Sequence, residues 1–202
     1  MVPQSGRVVL VYHKPGRASA VNSIRALVKT LRSLGLDCEA VTLEQAVSRS
    51  EEYRGKQVYL LMFARGGHWK QLVDAGLDPQ IIPPILTATS IGREARRRWG
   101  KGCSLALVTL RARRLRELQY RDIEEIRRLL SLYCGTEVVM LDNVGTPLNG
   151  KYEYAAPLAL LDGKLTETAC KPAVKDCLGP FISYALEDLA AWIAWTATHK
   201  KR

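Results

Sequence analysis

The chain has 202 residues, 47% hydrophobic and 25% charged, a balance that excludes a dominantly disordered polymer. Its length allows one large domain or two of about 100 residues each and excludes a large multidomain machine. Thirty Lys and Arg against 20 Asp and Glu give a formal charge of +10, so an anionic partner is expected: nucleic acid, an acidic membrane or a polyanionic small molecule.

Taken in chain order, Arg7 to Tyr12 is a Val-rich apolar run, the pattern of a strand buried on both faces. A polar turn, His13 to Arg17, follows. Val21, Ile24, Leu27, Val28, Leu31 and Leu34 then repeat at helical spacing, with Ser19 as cap and Gly35 as stop. Strands are expected at Cys38 to Leu43 and Gln57 to Phe63. Trp69 to Ala75 predicts a short helix, Ile81 to Leu86 a short strand, and Arg93 to Trp99 a basic helix capped near Ser90.

The pattern then restarts. Ser104 to Leu110 predicts a buried strand, Leu118 to Tyr133 a second long helix, and Glu137 to Leu141 another strand. Gly135 stands 100 residues after Gly35, and Leu141 stands 98 after Leu43. This near-constant offset predicts a duplicated α/β unit with parallel sheets and right-handed crossovers. The expected domains are 1–102 and 103–202, with the boundary near Lys101 and Gly102. Further on, Tyr154 to Leu161 reads as a strand, Asp162-Gly163 as a turn, and Pro180 as the start of a last helix.

No run of about 18 apolar residues exists, so no helical membrane span is expected. The early run Val8 to Tyr12 is shorter than a signal core of about 7–15 residues, and a cytoplasmic location is expected. The five cysteines are an odd number and contain no CxxC, which argues against a disulfide framework, a zinc ribbon or a thioredoxin-type site. Cys170 and Cys177 are spaced to pair or to bind a metal.

His13 directly follows the first strand, and His68 follows the third after Gly66 and Gly67. Ligands of open parallel sheets bind beyond the carboxyl ends of the strands, so both histidines stand at the functional edge. The two glycines let backbone approach a ligand. Two convergent imidazoles suit a borderline divalent metal and accept protons near pH 7. The alternative is a pair of unrelated loop histidines that cap backbone. His199 lies in the basic tail. No GxxxxGK[ST], GxGxxG or GxSxG motif occurs, so nucleotide sites and a serine elbow have no fingerprint.

The first 100 residues resemble the class II chelatases, the CbiX-type sirohydrochlorin cobaltochelatases and ferrochelatases. The resemblance rests on four segments in order: VVLVYHKPGR, VTLEQA, YLLMFARGGHW and IPPILTATSIGREARRRW. It implies two chelatase-like α/β domains with a cleft between them, the second a degenerate repeat without ligands. It implies that His13 and His68 bind the incoming metal and take the pyrrole protons, with Glu44 as a weaker metal ligand. Lys14, Arg17, Gly66, Gly67 and Trp69 are then expected to contact the substrate, together with Arg111, Arg113 and Arg114 from the second half. The metal is a substrate, cobalt first, with iron or nickel as alternatives, and no organic cofactor is implied. The partner would be a tetrapyrrole with many carboxylates, acted on by a tandem monomer or a homodimer.

Three departures stand out. Lys14 replaces the glycine usual after the first histidine. The nearest acid after His68 is Asp74. No histidine follows a strand in the second half. These departures motivate a second reading, a non-catalytic tetrapyrrole or metal carrier or regulator. The charge motivates a third, a basic nucleic-acid-binding protein, although no RNP, KH or zinc-finger pattern supports it.

Overall fold

The computed structural model describes residues 7–14, 16–110, 115–141, 153–170 and 175–199. Strand β1 (Val8–Tyr12) alternates its side chains between two cores, Val8 and Leu10 on one face and Val9 and Val11 on the other. Both faces are buried, so the run reads as continuously apolar rather than alternating. Helix α1 (Ala18–Ser33) buries Ala20, Ile24, Leu27 and Leu31, one stripe at 3.6-residue period. Strand β2 (Cys38–Thr42) follows.

At Thr42 the chain turns at once into α2 (Leu43–Ser48). The Thr42 hydroxyl accepts from the Gln45 N–H at 3.3 Å, and the Gln45 side chain accepts from the Thr42 N–H at 2.9 Å. This is a capping box, and it ends the strand one residue earlier than expected. The first half continues through α3 (Ser50–Tyr53), β3 (Gln57–Leu60), α4 (Gly67–Asp74), β4 (Pro79–Ile81) and α5 (Pro84–Trp99). The expected strand from Ile81 to Leu86 is corrected. Pro84 takes the first helical turn, where a missing N–H costs nothing, so strand ends and helix begins within three residues. Ser90 is not a cap; it lies inside α5, buried, and donates to Asp188 at 2.8 Å.

The second half comprises β5 (Ser104–Leu110), α6 (Arg116–Leu130), β6 (Gly135–Leu141), β7 (Tyr154–Pro157), α7 (Lys164–Cys170), β8 (Asp176–Cys177) and α8 (Ile182–His199). The two sheets have the same order, β2-β1-β3-β4 and β6-β5-β7-β8, all parallel. Duplication is therefore visible in the topology.

The last helix of each half crosses to the other. Helix α5 packs on α6, and its Trp99 stacks on Tyr154 of β7 with ring centres 4.4 Å apart. Helix α8 packs on α1, and its Trp192 meets Tyr59 of β3 edge-on at 5.3 Å. The Tyr59 hydroxyl also bonds Thr196 at 2.8 Å. One core results, running from Val8 and Leu10 through α1, α5, α6 and α8 to Leu105 and Leu107. Smaller cores cover the outer faces, under α2 to α4 on the first sheet and under α7 on the second.

The cysteine expectation is corrected in one respect: the odd count did not exclude disulfides, while of the two roles open to Cys170 and Cys177 they take the pairing one. Cys103–Cys134 and Cys170–Cys177 are disulfides, and Cys38 is buried and free. The first joins the residues just before β5 and β6. At the matching place in the first half, Arg7 pairs with Asp37 and Glu39 instead.

Two tests follow from α5. A Cβ on Gly92 would lie 2.4 Å from Cγ of Tyr133, a ring also held under Arg96. Gly92→Ala is expected to cost about 1–3 kcal/mol in thermal unfolding, less in a Tyr133→Ala background. On the same helix, Glu94 bonds Arg97 and Arg98, and those bonds hold its carboxyl down from 4.5 to about 2. A depressed folded value stabilises fully above pH 4.5, and the benefit fades as pH falls toward 2. Glu94→Gln should therefore lose about 1–2 kcal/mol at pH 7, after allowing for the exposure of Arg97, and nothing near pH 2. Urea titrations at pH 7, 4 and 2.5 read this directly.

Candidate functional site

The carboxyl ends of β1 and β3 lie side by side because those strands pair in parallel, Val11 opposite Leu60. His13 immediately follows β1. His68 stands in the first turn of α4, after the extended Gly66. The fold thus brings together two histidines that stand 55 positions apart in sequence, with ring centres 5.2 Å apart and planes tilted by 40°. Two imidazoles sharing one tetrahedral metal through bonds of about 2.1 Å have ring centres roughly 5 Å apart.

The two rings differ in environment. His13 is exposed, and its Nδ1 lies 3.2 Å from the Lys14 carbonyl oxygen. A carbonyl only accepts, so this contact places the proton on Nδ1 and leaves a lone pair on Nε2. His68 is half-buried, and its Nδ1 is buried without a hydrogen-bond partner. Burial lowers its pKa below 6.5, and the neighbouring His13 adds to this, while Gln71 and Glu44 push the other way. The imidazole is neutral at pH 7 and able to donate a lone pair or take a proton.

Glu44 sits in the first turn of α2, where the capping box places it. Its own backbone N–H, then the Thr42 hydroxyl, hold its carboxyl below the usual range, with smaller help from His13 and Lys14. Its primary partners belong to its own helix start, and its charge acts on the rings through space. Among the described residues, no group of three or more His, Cys, Asp or Glu converges to hold a metal.

The remaining candidates divide. A Cβ on Gly67 would meet nothing within 4 Å, so packing does not demand glycine and room remains for a ligand. Trp69 packs on the outer core and donates its indole N–H to the Pro79 carbonyl at 3.2 Å, which ties it to the scaffold. Arg17 reaches the second half, pairing with Asp162 at 3.2 Å and with Glu167. Arg111, Arg113 and Arg114 lie outside the described residues. The basic helix end is internally committed: Arg93 pairs with Asp188, Arg96 donates to the Leu132 and Tyr133 carbonyls, and Arg97 and Arg98 bind Glu94. It does not present a free row of cations to phosphate. A shallow recess on α6, lined by Arg116, Glu117, Tyr120, Arg121 and Glu124, contains neither histidine.

Sequence reasoning missed one residue pair that shapes this edge. Arg65, just before the glycines, donates to Asp122 of α6 from its backbone N–H at 2.7 Å and from its guanidinium at 3.0 and 2.5 Å. The Asp122 side chain is 5% exposed. No local signal links two residues 57 apart.

No family model matches this chain, and no curated protein matches its sequence. Among solved structures, CbiX, described as the terminal enzyme for biosynthesis of siroheme in denitrifying bacteria, superposes with a TM-score of 0.64. The match covers 98% of this chain and all of that one, at 16% identity. A periplasmic solute-binding protein from Actinobacillus succinogenes with bound D-allose gives a TM-score of 0.45, covering 98% of this chain and 92% of that one, at 10% identity. The chain therefore has a CbiX-like fold of two similar α/β halves.

Asp122→Ala is expected to cost about 3 kcal/mol in urea unfolding, since it leaves Arg65 without its partner at a half-buried joint. A double-mutant cycle with Arg65→Ala should recover most of that cost.

Proposed function

We propose that this protein is a class II chelatase that inserts a divalent metal into a sirohydrochlorin-type tetrapyrrole. The observation that carries the reading is the pairing of His13 and His68 at the carboxyl edge of a CbiX-like fold. Insertion exchanges two pyrrole protons for one M²⁺, so a site needs a metal donor and a proton acceptor. His13 offers Nε2, His68 is kept neutral by burial, and Glu44 supplies negative potential that attracts the cation. A two-imidazole site holds metal loosely enough to pass it on. The macrocycle's carboxylates would find Lys14 and Arg17 beside the metal, with Gly66 and Gly67 giving it room; Trp69, Arg111, Arg113 and Arg114 complete the proposed contacts. Orientation by these groups and proton removal by imidazole are the two sources of rate.

Cobalt is the first choice of metal, with iron and nickel next, because imidazole suits all three. The metal enters as substrate, and no organic cofactor is required. The functional division follows residues 1–102 and 103–202, with the second half as the wall of the cleft, so a tandem monomer suffices. A cytoplasmic location is proposed, which the two disulfides make compatible only with a cytosol that tolerates them, such as that of a hyperthermophile.

The carrier reading keeps one specific support: only two imidazoles converge among the described residues. Turnover separates the two. Mixed with sirohydrochlorin and Co²⁺, the protein should convert many equivalents of the macrocycle, followed by absorbance. His13→Ala and His68→Ala are each expected to lower kcat/KM by about 10²–10⁴-fold, the usual worth of a positioned acid–base group. Full activity in the double variant would overturn the mechanism, and tight binding without turnover by wild type would favour the carrier.

A further inference from the structure

Two ion-pair contacts join the halves at this edge, and the duplication relates them. Arg65 stands eight residues beyond the first residue of β3, and Asp162 stands eight beyond the first residue of β7. Each lies in the loop after the third strand of its half and reaches across to the other. Arg65 binds Asp122 on α6. Asp162 binds Arg17, the residue before α1, and accepts from Ser19 in the first turn at 3.2 Å. The polarity is reversed: one loop supplies the cation, the other the anion.

Their surroundings differ as well. Asp122 is nearly buried and takes three donors from one arginine. The side chains of Arg17, Asp162 and Glu167 are 41%, 33% and 41% exposed. Water and salt weaken an exposed pair far more than a buried one. The second contact is therefore the weaker of the two. Arg17 is also on the loop that carries His13, four residues further on. Its resting partners are two carboxylates, the same group that rings a tetrapyrrole.

We infer that Arg17 is a carboxylate-binding residue held in reserve. Asp162 and Glu167 keep it as an exchangeable latch between the halves, and a carboxylate of the incoming macrocycle takes their place. Arg65 and Asp122 form the fixed contact opposite. The guanidinium exchanges one carboxylate partner for another, so charge-assisted bonds are kept throughout. The identity of the ligand rests on the chelatase reading; the latch rests on the ion pairs alone.

Hydrogen exchange on the ligand-free protein tests the latch, with an octacarboxylate porphyrin as the probe for the ligand. In Asp162→Asn/Glu167→Gln, amides at the start of α1 and in α7 should exchange about three- to tenfold faster. Wild type in 0.5 M NaCl should behave alike, while amides around Arg65 and Asp122 keep their protection. Arg17→Gln should weaken porphyrin binding about tenfold, and the double acid variant should bind it faster than wild type. Unchanged exchange in the double variant overturns the latch. Salt-sensitive exchange with no porphyrin binding by wild type overturns the ligand and the chelatase reading together, and leaves the latch standing.

Discussion

The architecture depends on the exchange of last helices between the two halves. Helix α5 leaves the first half to pack on α6, and α8 returns from the second to pack on α1. Each sheet needs both faces covered, because its strands are apolar on both sides. The crossing helices help cover the inner face of both sheets at once, and α2 to α4 and α7 cover the outer faces. A single core then fixes the halves face to face, and their carboxyl edges, where the histidines stand, are held in one place. Trp99 on Tyr154 and Trp192 on Tyr59 are the aromatic locks of this exchange.

The duplicated halves have diverged in their chemistry more than in their topology. Both keep the same strand order. The first retains two histidines at its edge, and the second has none there. Where the first half joins the starts of its first two strands by ion pairs from Arg7, the second uses a disulfide. The edge contacts invert their charges between Arg65 and Asp162. Inverted charges suit two different halves facing one another and would set like charges together if a half paired with its own copy, a form of partner selection.

Much of this was legible in the sequence because it is encoded locally. Continuous Val-rich runs marked the buried strands, and the 3.6-residue stripes marked α1 and α6. The offset between Gly35 and Gly135 marked the duplication. The edge positions of His13 and His68 followed from strand ends alone, and the parallel pairing of β1 and β3 brought the rings together. Some local signals were present but unread. Thr42-Leu-Glu-Gln45 is a capping box, and Pro83-Pro84 is a helix start. The rest was out of reach. The pairs Arg65–Asp122 and Arg17–Asp162 span 57 and 145 residues, and neither composition nor period records them. The odd cysteine count concealed the Cys103–Cys134 disulfide because the unpaired cysteine, Cys38, is simply a buried side chain, whereas the spacing of Cys170 and Cys177 had left their pairing open.

On the proposed function, two imidazoles from one sheet edge share a divalent metal. Anomalous diffraction from a crystal soaked in Co²⁺ measures this most directly. One cobalt is expected between His13 and His68, about 2.1 Å from a ring nitrogen of each. Cobalt bound elsewhere, with the two rings left free, would contradict it.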